Sequence, residues 1–143
     1  MNNCLILDGK EVAQASTENL LDRVKKLRDY GRAPKLVAIL VGDDPASATY
    51  VNMKERACHA LGIETEIKRL SKETDTNELQ QIISDLNNDK TVDGILLQHP
   101  VPKQIDEIKC FNTICLEKDV DGVTTEGFGN MAMGLSAFVL VHL

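Results

Sequence analysis

Two residues with chemically useful side chains, Tyr50 and Lys54, stand four positions apart in the sequence. They follow the apolar run 36–41, which predicts a buried strand that ends in a tight turn. Asp44 is a good N-cap, and Pro45 suits the first position of a helix. Because residues four apart on a helix share one face, we expect an aromatic ring and an amine to point together.

The chemistry that such a lysine can perform is proton transfer. An ordinary lysine has a pKa of about 10.4 and is therefore a poor base at neutral pH. Removal from water lowers the pKa of an amine, and enzymes use this effect to make lysines exchange protons. Ligands of open α/β sheets bind at the carboxyl edge of the strands, so we expect the pair to serve a site at that edge. By themselves, such residues more often have only surface and packing roles.

Two further segments carry polar side chains at predicted strand ends or turns. Gln98 ends the apolar strand 92–97, and Pro100 beyond it cannot continue a central strand. A later polar turn carries two carboxylates, Asp119 and Asp121, and spacing alone does not choose between them. Each of these residues also has a plain explanation, as a strand end or a turn former. If both segments reach the lysine, Gln98 and Asp121 converge with it on one cleft.

The elements that must position these residues alternate along the chain. Their order, β-α-β-α-β-α-β-α, predicts an α/β fold with a mostly parallel sheet, right-handed crossovers and helices on both faces. The alternating strand at 63–69 is half polar, so we expect it near a sheet edge. Asp8 with Glu11 resembles a capping box before the first helix. Strands are predicted at 5–7, 36–41, 63–69 and 92–97, and helices around 13–27, 45–61, 79–86 and 105–115.

Composition restricts the class of protein. A chain of 143 residues fits one domain with a real core, and 43% hydrophobic with 27% charged residues is typical of a soluble globular protein. The net charge of −6 argues against a nucleic-acid or anionic-membrane partner. No apolar run approaches the roughly 20 residues of a membrane span, and the amino terminus lacks a signal-peptide pattern. We therefore expect a cytoplasmic location.

The four cysteines, at positions 4, 58, 110 and 115, are scattered along the chain. Their spacing, together with the three histidines, does not complete a zinc pattern. We predict reduced, structural thiols and no metal. Cys58 lies one helical turn beyond Lys54 and is expected to pack rather than to react.

Three segments resemble the signatures of one enzyme family. The segments 41–54, 93–102 and 118–122 are similar to those of bifunctional methylenetetrahydrofolate dehydrogenase/methenyltetrahydrofolate cyclohydrolase, in the family's order and spacing. One such motif is a weak signal, whereas three in register are strong. The resemblance covers roughly residues 4–134, which in that family form the amino-terminal, folate-binding catalytic domain.

The resemblance implies a role for each matching residue. Lys54 is implied as the principal catalytic residue, with Gln98 hydrogen-bonded to it. Asp121 is implied to anchor the amino group and ring nitrogen of the pterin. General chemistry agrees, because a neutral amide orients an amine without holding it charged, and a planar carboxylate accepts two parallel N–H bonds. The remaining substrate-binding residues implied are Tyr50, which stacks on the folate, and Pro100 and Val101, whose backbone lines the pterin pocket.

The resemblance also implies an activity in one-carbon metabolism. The family oxidises 5,10-methylenetetrahydrofolate to 5,10-methenyltetrahydrofolate with NADP and hydrolyses the product to 10-formyltetrahydrofolate. Its NADP site lies in a second, Rossmann-type domain, and the full-length enzymes are generally dimeric. We expect 1–134 to be the catalytic domain, 135–143 to be an atypical, truncated tail, and the NADP-binding domain to be absent. The alternatives are a folate-binding domain without turnover and a plain scaffold domain.

Three remaining features are given minor roles. The segment 127–132 matches the letters of a dinucleotide-binding motif, but it follows a polar turn, so we expect a glycine-rich loop. His99 stands where the family more often has leucine, and is interpreted as a variant corner, with a direct substrate contact as the alternative. His59 lies about 140° around the helix from Lys54 and is expected to be a bystander. His142 receives no role.

Overall fold

Three parallel strands form the centre of the molecule. In the computed structural model, which describes residues 8–135, they are β1 (Lys35–Val41), β2 (Glu64–Leu70) and β3 (Gly94–Leu97). The sheet order is β2-β1-β3. All seven residues of β1 pair with β2, and four of them pair with β3. β2 is therefore an edge strand, as its half-polar sequence predicts.

Five α-helices within residues 8–135 accompany the sheet. The predicted α/β class and the parallel sheet are confirmed. The strand predicted at 5–7 and the tail from 136 onwards lie outside the described residues. The helices are α1 (Gly9–Asp29), α2 (Pro45–Leu61), α3 (Thr76–Asn88), α4 (Glu107–Phe111) and α5 (Thr125–Ala132), with a 3₁₀ turn at Leu116–Lys118.

The two faces of the sheet carry unequal cores. On one face, alternate residues of β1 join α3 and α4 in the larger cluster, which includes Val37, Ile39 and Leu79. On the other face, Ala38, Val51 of α2 and Leu96 form a much smaller cluster. Because strand residues alternate between faces, one strand serves both clusters. The α2 face is the less completely filled of the two.

Local sequence signals set the ends of α2. Asp44 accepts a hydrogen bond from the backbone N–H of Ser47 at 2.7 Å, and Pro45 follows it in the first turn. The Ser47 hydrogen bonds hold the pKa of the Asp44 carboxyl below its usual value. Gly62 ends the helix in the left-handed region, with φ of 77°. The predicted helix 45–61 is therefore confirmed at both ends.

Two helices differ from their predicted form. In α1, which Asp8 caps by accepting from the backbone N–H of Lys10, Val24 is the single buried residue, and Leu27 is 52% exposed. α4 spans only five residues, because Asp106 caps it at its start and Asn112 ends it. Ile108, predicted on its apolar face, is 70% exposed. The apolar period therefore overestimated the burial of both helices and the length of α4, whereas α1 is longer than predicted.

Within residues 8–135, no helix combines the length and the apolar character that crossing a membrane requires.

Candidate active site

Tyr50 and Lys54 project from the same side of α2. The Nζ atom of Lys54 lies 4.6 Å from the centroid of the Tyr50 ring, which is a cation–π distance. The Lys54 side chain is 27% exposed and Tyr50 is 46% exposed, so both are accessible without being free in solvent. The pairing predicted from their spacing is present in the structure.

Asp121 reaches the same amine from a distant part of the chain. Its Oδ1 atom lies 3.9 Å from Lys54 Nζ, at the outer limit of an ion pair. Asp121 comes from the turn that follows the 3₁₀ turn Leu116–Lys118. Its side chain is 32% exposed and accepts no hydrogen bond from residues 8–135. Both carboxylate oxygens are therefore available to N–H donors of a ligand.

The structure distinguishes the two carboxylates that spacing left equivalent. Asp119 is only 2% exposed, and its two oxygens accept hydrogen bonds from the backbone N–H groups of Val123, at 3.1 Å, and Thr124, at 2.9 Å. Through these bonds the Asp119 carboxylate holds the backbone just before α5. Asp119 is thus a structural residue, and Asp121 is the carboxylate that faces the lysine.

Lys54, Tyr50 and Asp121 line a cavity of about 330 Å³ on the α2 face of the sheet. Its floor includes Leu36 and Gly94, from the starts of β1 and β3. The prediction of a site at the carboxyl edge of the strands is therefore wrong. In a right-handed crossover, α2 runs back along β1, and Lys54 lies nine residues, or about 14 Å, into that helix.

Gln98 lies near this cavity without lining it. Its backbone N–H donates to the carbonyl of Ile39 at 2.9 Å, and its side-chain amide donates to the carbonyl of His99 at 2.7 Å. Within residues 8–135 it makes no hydrogen bond to Lys54. Gln98 is two residues beyond Leu96, whose side chain lines the cavity, and residues two apart in a strand face the same side.

Pro100 and Val101 also lie outside the cavity lining. Pro100 is exposed after a cis peptide bond with His99, and Val101 packs against the larger core on the opposite face. The structure therefore brings Tyr50, Lys54 and Asp121 together, whereas the residues after β3 stand apart from them.

The cavity has apolar walls that were not predicted. Met53, Ala57 and Cys58 of α2 line it beside the two predicted residues of that helix. They stand three or four positions after Tyr50 or Lys54, so helical spacing is the signal that could have found them. Cys58 is 5% exposed, as expected for a packed thiol, and burial raises its pKa. It is therefore a neutral wall residue.

Gly94 shapes the cavity floor by having no side chain. A Cβ atom at this position would lie 2.5 Å from Cγ1 of Val120 and 3.3 Å from Cδ1 of Leu36. The close approach of Val120 to β3 brings the next residue, Asp121, to the cavity. Gly94, in the segment 93–102, is therefore required for the segment 118–122 to pack against β3.

The two histidines within residues 8–135 lie outside the cavity lining. His99 is 69% exposed, and its Nδ1 atom lies 2.7 Å from Oε1 of Glu107. This contact supports its interpretation as a variant corner. His59 is exposed on α2, and His142 lies outside the described residues.

The glycine-rich segment 127–132 lies entirely within α5, so the prediction of a loop there is wrong. The hydroxyl of Thr124 accepts from the backbone N–H of Gly127 and starts the helix. A Cβ atom on Gly127 would lie 2.9 Å from the Asp119 carboxylate and from that hydroxyl. A phosphate placed there would meet a negative charge, and the residues present do not fit a dinucleotide.

The described cysteines carry free thiols. Cys58 and Cys110 are buried and Cys115 is half-buried, while Cys4 lies outside the described residues. Burial, together with the nearby Asp106 and Glu107, raises the pKa of Cys110 to about 11. No group of three or more His, Cys, Asp or Glu side chains within residues 8–135 could hold a metal ion.

Fold and cavity define an α/β domain with a parallel sheet and an apolar cavity that a lysine, an aromatic ring and a carboxylate line. The family model of the tetrahydrofolate dehydrogenase/cyclohydrolase catalytic domain matches residues 7–121. The chain therefore belongs to this family, as the three sequence signatures indicated.

Known relatives are similar over most of this chain. The bifunctional protein FolD of Shouchella clausii is 54% identical over 134 residues, which cover 94% of this chain and 48% of that protein. FolD of Teredinibacter turnerae is 55% identical over 95% of this chain and 49% of its own length. The chain thus spans about half the length of the curated relatives it matches.

Solved structures of such enzymes have the same fold. The bifunctional FolD dehydrogenase/cyclohydrolase of Campylobacter jejuni superimposes with a TM-score of 0.90 at 38% identity, over 94% of this chain and 48% of that one. FolD of Trypanosoma brucei, solved with NADP cofactor and an inhibitor, gives 0.85 at 28% identity, over 97% and 48%.

Proposed function

We propose that this chain is the folate-binding catalytic domain of a bifunctional methylenetetrahydrofolate dehydrogenase/cyclohydrolase in one-carbon metabolism. One observation carries the proposal: Lys54 Nζ lies 4.6 Å from the Tyr50 ring centroid and 3.9 Å from Asp121, at the mouth of an apolar cavity. Membership of the family supports it. The substrate is a reduced folate.

The cavity supports binding of the flat pterin ring. Its volume of about 330 Å³ suits part of a small molecule, and its walls are largely apolar. Tyr50 offers a ring face for stacking. Asp121 accepts no hydrogen bond from the described residues, so its two oxygens can accept hydrogen bonds from the amino group and the ring N–H of the pterin. In the proposal, Gln98 and the backbone of Pro100 and Val101 contribute to the folate site beyond the cavity lining, from the segment that follows β3.

The chemistry proposed for this chain is the hydrolysis of the methenyl bridge. The bridge carbon is positively polarised between two folate nitrogens, and water adds to it. The amine of Lys54 takes a proton from the attacking water and returns one to the folate nitrogen as its bond to the carbon breaks. One proton is released overall, and the product is 10-formyltetrahydrofolate. Gln98 is proposed to orient the amine during these transfers.

The oxidation step needs an NADP site, which we do not assign to the described residues. It transfers a hydride from the methylene bridge of the folate to NADP⁺, and that cofactor carries the redox chemistry. Because the start of α5 does not fit a dinucleotide, we place the NADP site in a second domain. In the proposal, residues 1–134 are the catalytic domain, 135–143 are an atypical tail, and the complete enzyme is a cytoplasmic homodimer without a metal.

Two assays on this chain test the proposal. Titration with 5-formyltetrahydrofolate should show binding, and added 5,10-methenyltetrahydrofolate should lose its absorbance faster than in buffer. Lys54→Met should remove at least about 100-fold of that rate, since one acid–base group contributes roughly 10²–10⁴-fold. The matched control is Lys103→Met, at an exposed lysine outside the cavity lining.

The outcomes separate the candidate functions. Binding with a rate equal to buffer would contradict turnover and leave a folate-binding domain. No binding at millimolar folate would contradict both and favour a scaffold. Equal loss of rate in Lys54→Met and Lys103→Met would remove the catalytic role of Lys54.

A further inference from the structure

Lys118, the first residue of the third signature, makes an unusual set of contacts. Its ammonium donates to the backbone carbonyls of Leu86 at 2.7 Å, Asn87 at 2.8 Å and Asp89 at 2.7 Å. These carbonyls end α3, where helix carbonyls lack intrahelical partners and carry a partial negative charge. α3 has no basic residue in its own last turn. A lysine from 29 or more positions away supplies the missing cation.

The chain after Lys118 is held just as firmly. Asp119 forms a parallel bridge with Ile95 of β3 and accepts two backbone hydrogen bonds, from Val123 and Thr124. Its 2% exposure means that the carboxylate cannot exchange these partners for water without opening the structure. The position of Asp119 is therefore defined from both sides.

Asp121 itself has no such anchor. It accepts no hydrogen bond from residues 8–135, and its sole ionic contact there is Lys54, at 3.9 Å. Its place is therefore set by its neighbours along the chain, among them Val120, which packs onto Gly94. At about 3.5 Å per residue, Asp121 can lie no more than about 10 Å from Lys118. A displacement of Lys118 should therefore also displace Asp121, because only two residues separate them.

We propose that Lys118 is a positioning residue: by binding the carboxyl end of α3, it places Asp121 at the cavity beside Lys54. This inference rests on the proposed function, because Asp121 matters only if the cavity binds a folate. The alternative is a purely structural role, in which Lys118 caps α3 and affects only the stability of the fold.

A double-mutant cycle on the full chain separates the two explanations. The variants are Lys118→Met, which keeps the length of the side chain without its donors, Asp121→Asn, and both together. The measurement is the Kd for 5-formyltetrahydrofolate, with circular dichroism and Tm as folding controls. The matched control is Lys90→Met, which removes the same charge at a lysine whose ammonium has no partner within residues 8–135.

If Lys118 acts through Asp121, each single variant weakens binding by about tenfold, which is the size of one charged hydrogen bond. The double variant then binds within about twofold of Asp121→Asn, because coupled residues are not additive. Lys90→Met binds as the unchanged protein does. An unaltered Kd in Lys118→Met, or effects that multiply in the double variant, would overturn the inference.

Two further measurements keep the inference testable. If Lys118→Met does not fold, the cycle is repeated with Lys118→Arg, which keeps the charge but replaces the compact ammonium by a rigid planar fork of donors. If the unchanged protein binds no folate, the proposed function fails, and the anchoring is tested by amide hydrogen exchange at residues 119–123. Faster exchange in Lys118→Met but not in Lys90→Met supports the anchoring, and equal exchange contradicts it.

Discussion

At the scale of single residues, the site depends on three side chains with different degrees of restraint. Lys54 and Tyr50 share a helix, so their mutual position follows from the backbone of α2. Asp121 meets them from another segment, at a distance that leaves room for a ligand donor. The amine is thus held between a ring face and a carboxylate. This arrangement keeps each group near the cavity without consuming its hydrogen-bonding capacity.

The ring of Tyr50 should matter more than its hydroxyl. Tyr50→Phe keeps the face against the Lys54 ammonium, and we expect its Kd for 5-formyltetrahydrofolate to stay within about threefold. Tyr50→Leu loses both stacking and the cation–π contact, each worth about 0.5–1.5 kcal/mol, and should weaken binding about tenfold. Isothermal titration measures both. A larger loss in Tyr50→Phe than in Tyr50→Leu would show that the hydroxyl, not the ring, binds the ligand.

At the scale of elements, charged side chains join segments that are distant in the sequence, by contacts with side chains and with backbone groups. The Arg32 guanidinium forms a two-point contact with Asp93, at 2.6 Å for each nitrogen, and the N–H of Lys35 adds a bond at 2.8 Å. These contacts join the segments that enter β1 and β3, on the cavity side. Lys118 joins α3 to the 3₁₀ turn in a similar way.

The Asp93 contact should make stability depend on pH. Burial opposes ionisation, but the Arg32 and Lys35 hydrogen bonds outweigh it and lower the pKa of Asp93. A lowered pKa adds stability above the unfolded value, about 3.9, and that stability is lost as pH falls through the folded value. At pH 7, Asp93→Asn should lower Tm by about 2–4 °C.

The comparison is made by thermal unfolding at pH 7, 5, 4 and 3. The Tm difference between Asp93→Asn and the unchanged protein should shrink as the pH falls below about 4, because protonation of the carboxyl removes the contact. Asp43→Asn, at an exposed carboxylate without a hydrogen bond in residues 8–135, should show a much smaller difference at pH 7. A difference that persists undiminished at pH 3 would exclude charge as the cause.

At the scale of the whole molecule, the cavity is lined by α2, the starts of β1 and β3, and the turn that carries Asp121. The relatives are about twice as long as this chain. Several large apolar side chains on α1 and α5 are exposed, among them Val12, Phe128 and Met131. In the proposed function, the described residues supply the folate site and a second domain holds the hydride acceptor.

This division predicts which of the two activities the chain retains. With 5,10-methylenetetrahydrofolate and NADP⁺, the chain alone should form no NADPH above the rate of a sample without protein, measured by absorbance at 340 nm. The same sample should still bind 5-formyltetrahydrofolate. NADPH formation that is abolished in Lys54→Met would show that residues of this chain also bind the cofactor.

By itself, the sequence determined the alternation of helices and strands from α1 to α4, the caps of α2 and the Tyr50–Lys54 pair, but it did not predict α5. These depend on spacing within one segment, where period and cap residues act locally. Asp44 and Gly62 could be assigned because a cap needs only its own helix. The three signatures also indicated the family, because their order and spacing can be read directly from the sequence.

Only the tertiary structure showed the position of the cavity, and why Asp121, which the family resemblance implied, is free to face it while Asp119 is not. Both depend on contacts between distant segments: Val120 packs on Gly94, and Lys118 binds the end of α3. The helical structure of 127–132 also depends on residues that precede the segment. Asp119 and Thr124 accept the hydrogen bonds that define the start of α5. Spacing along a chain cannot report which of two neighbouring carboxylates is consumed by backbone N–H groups.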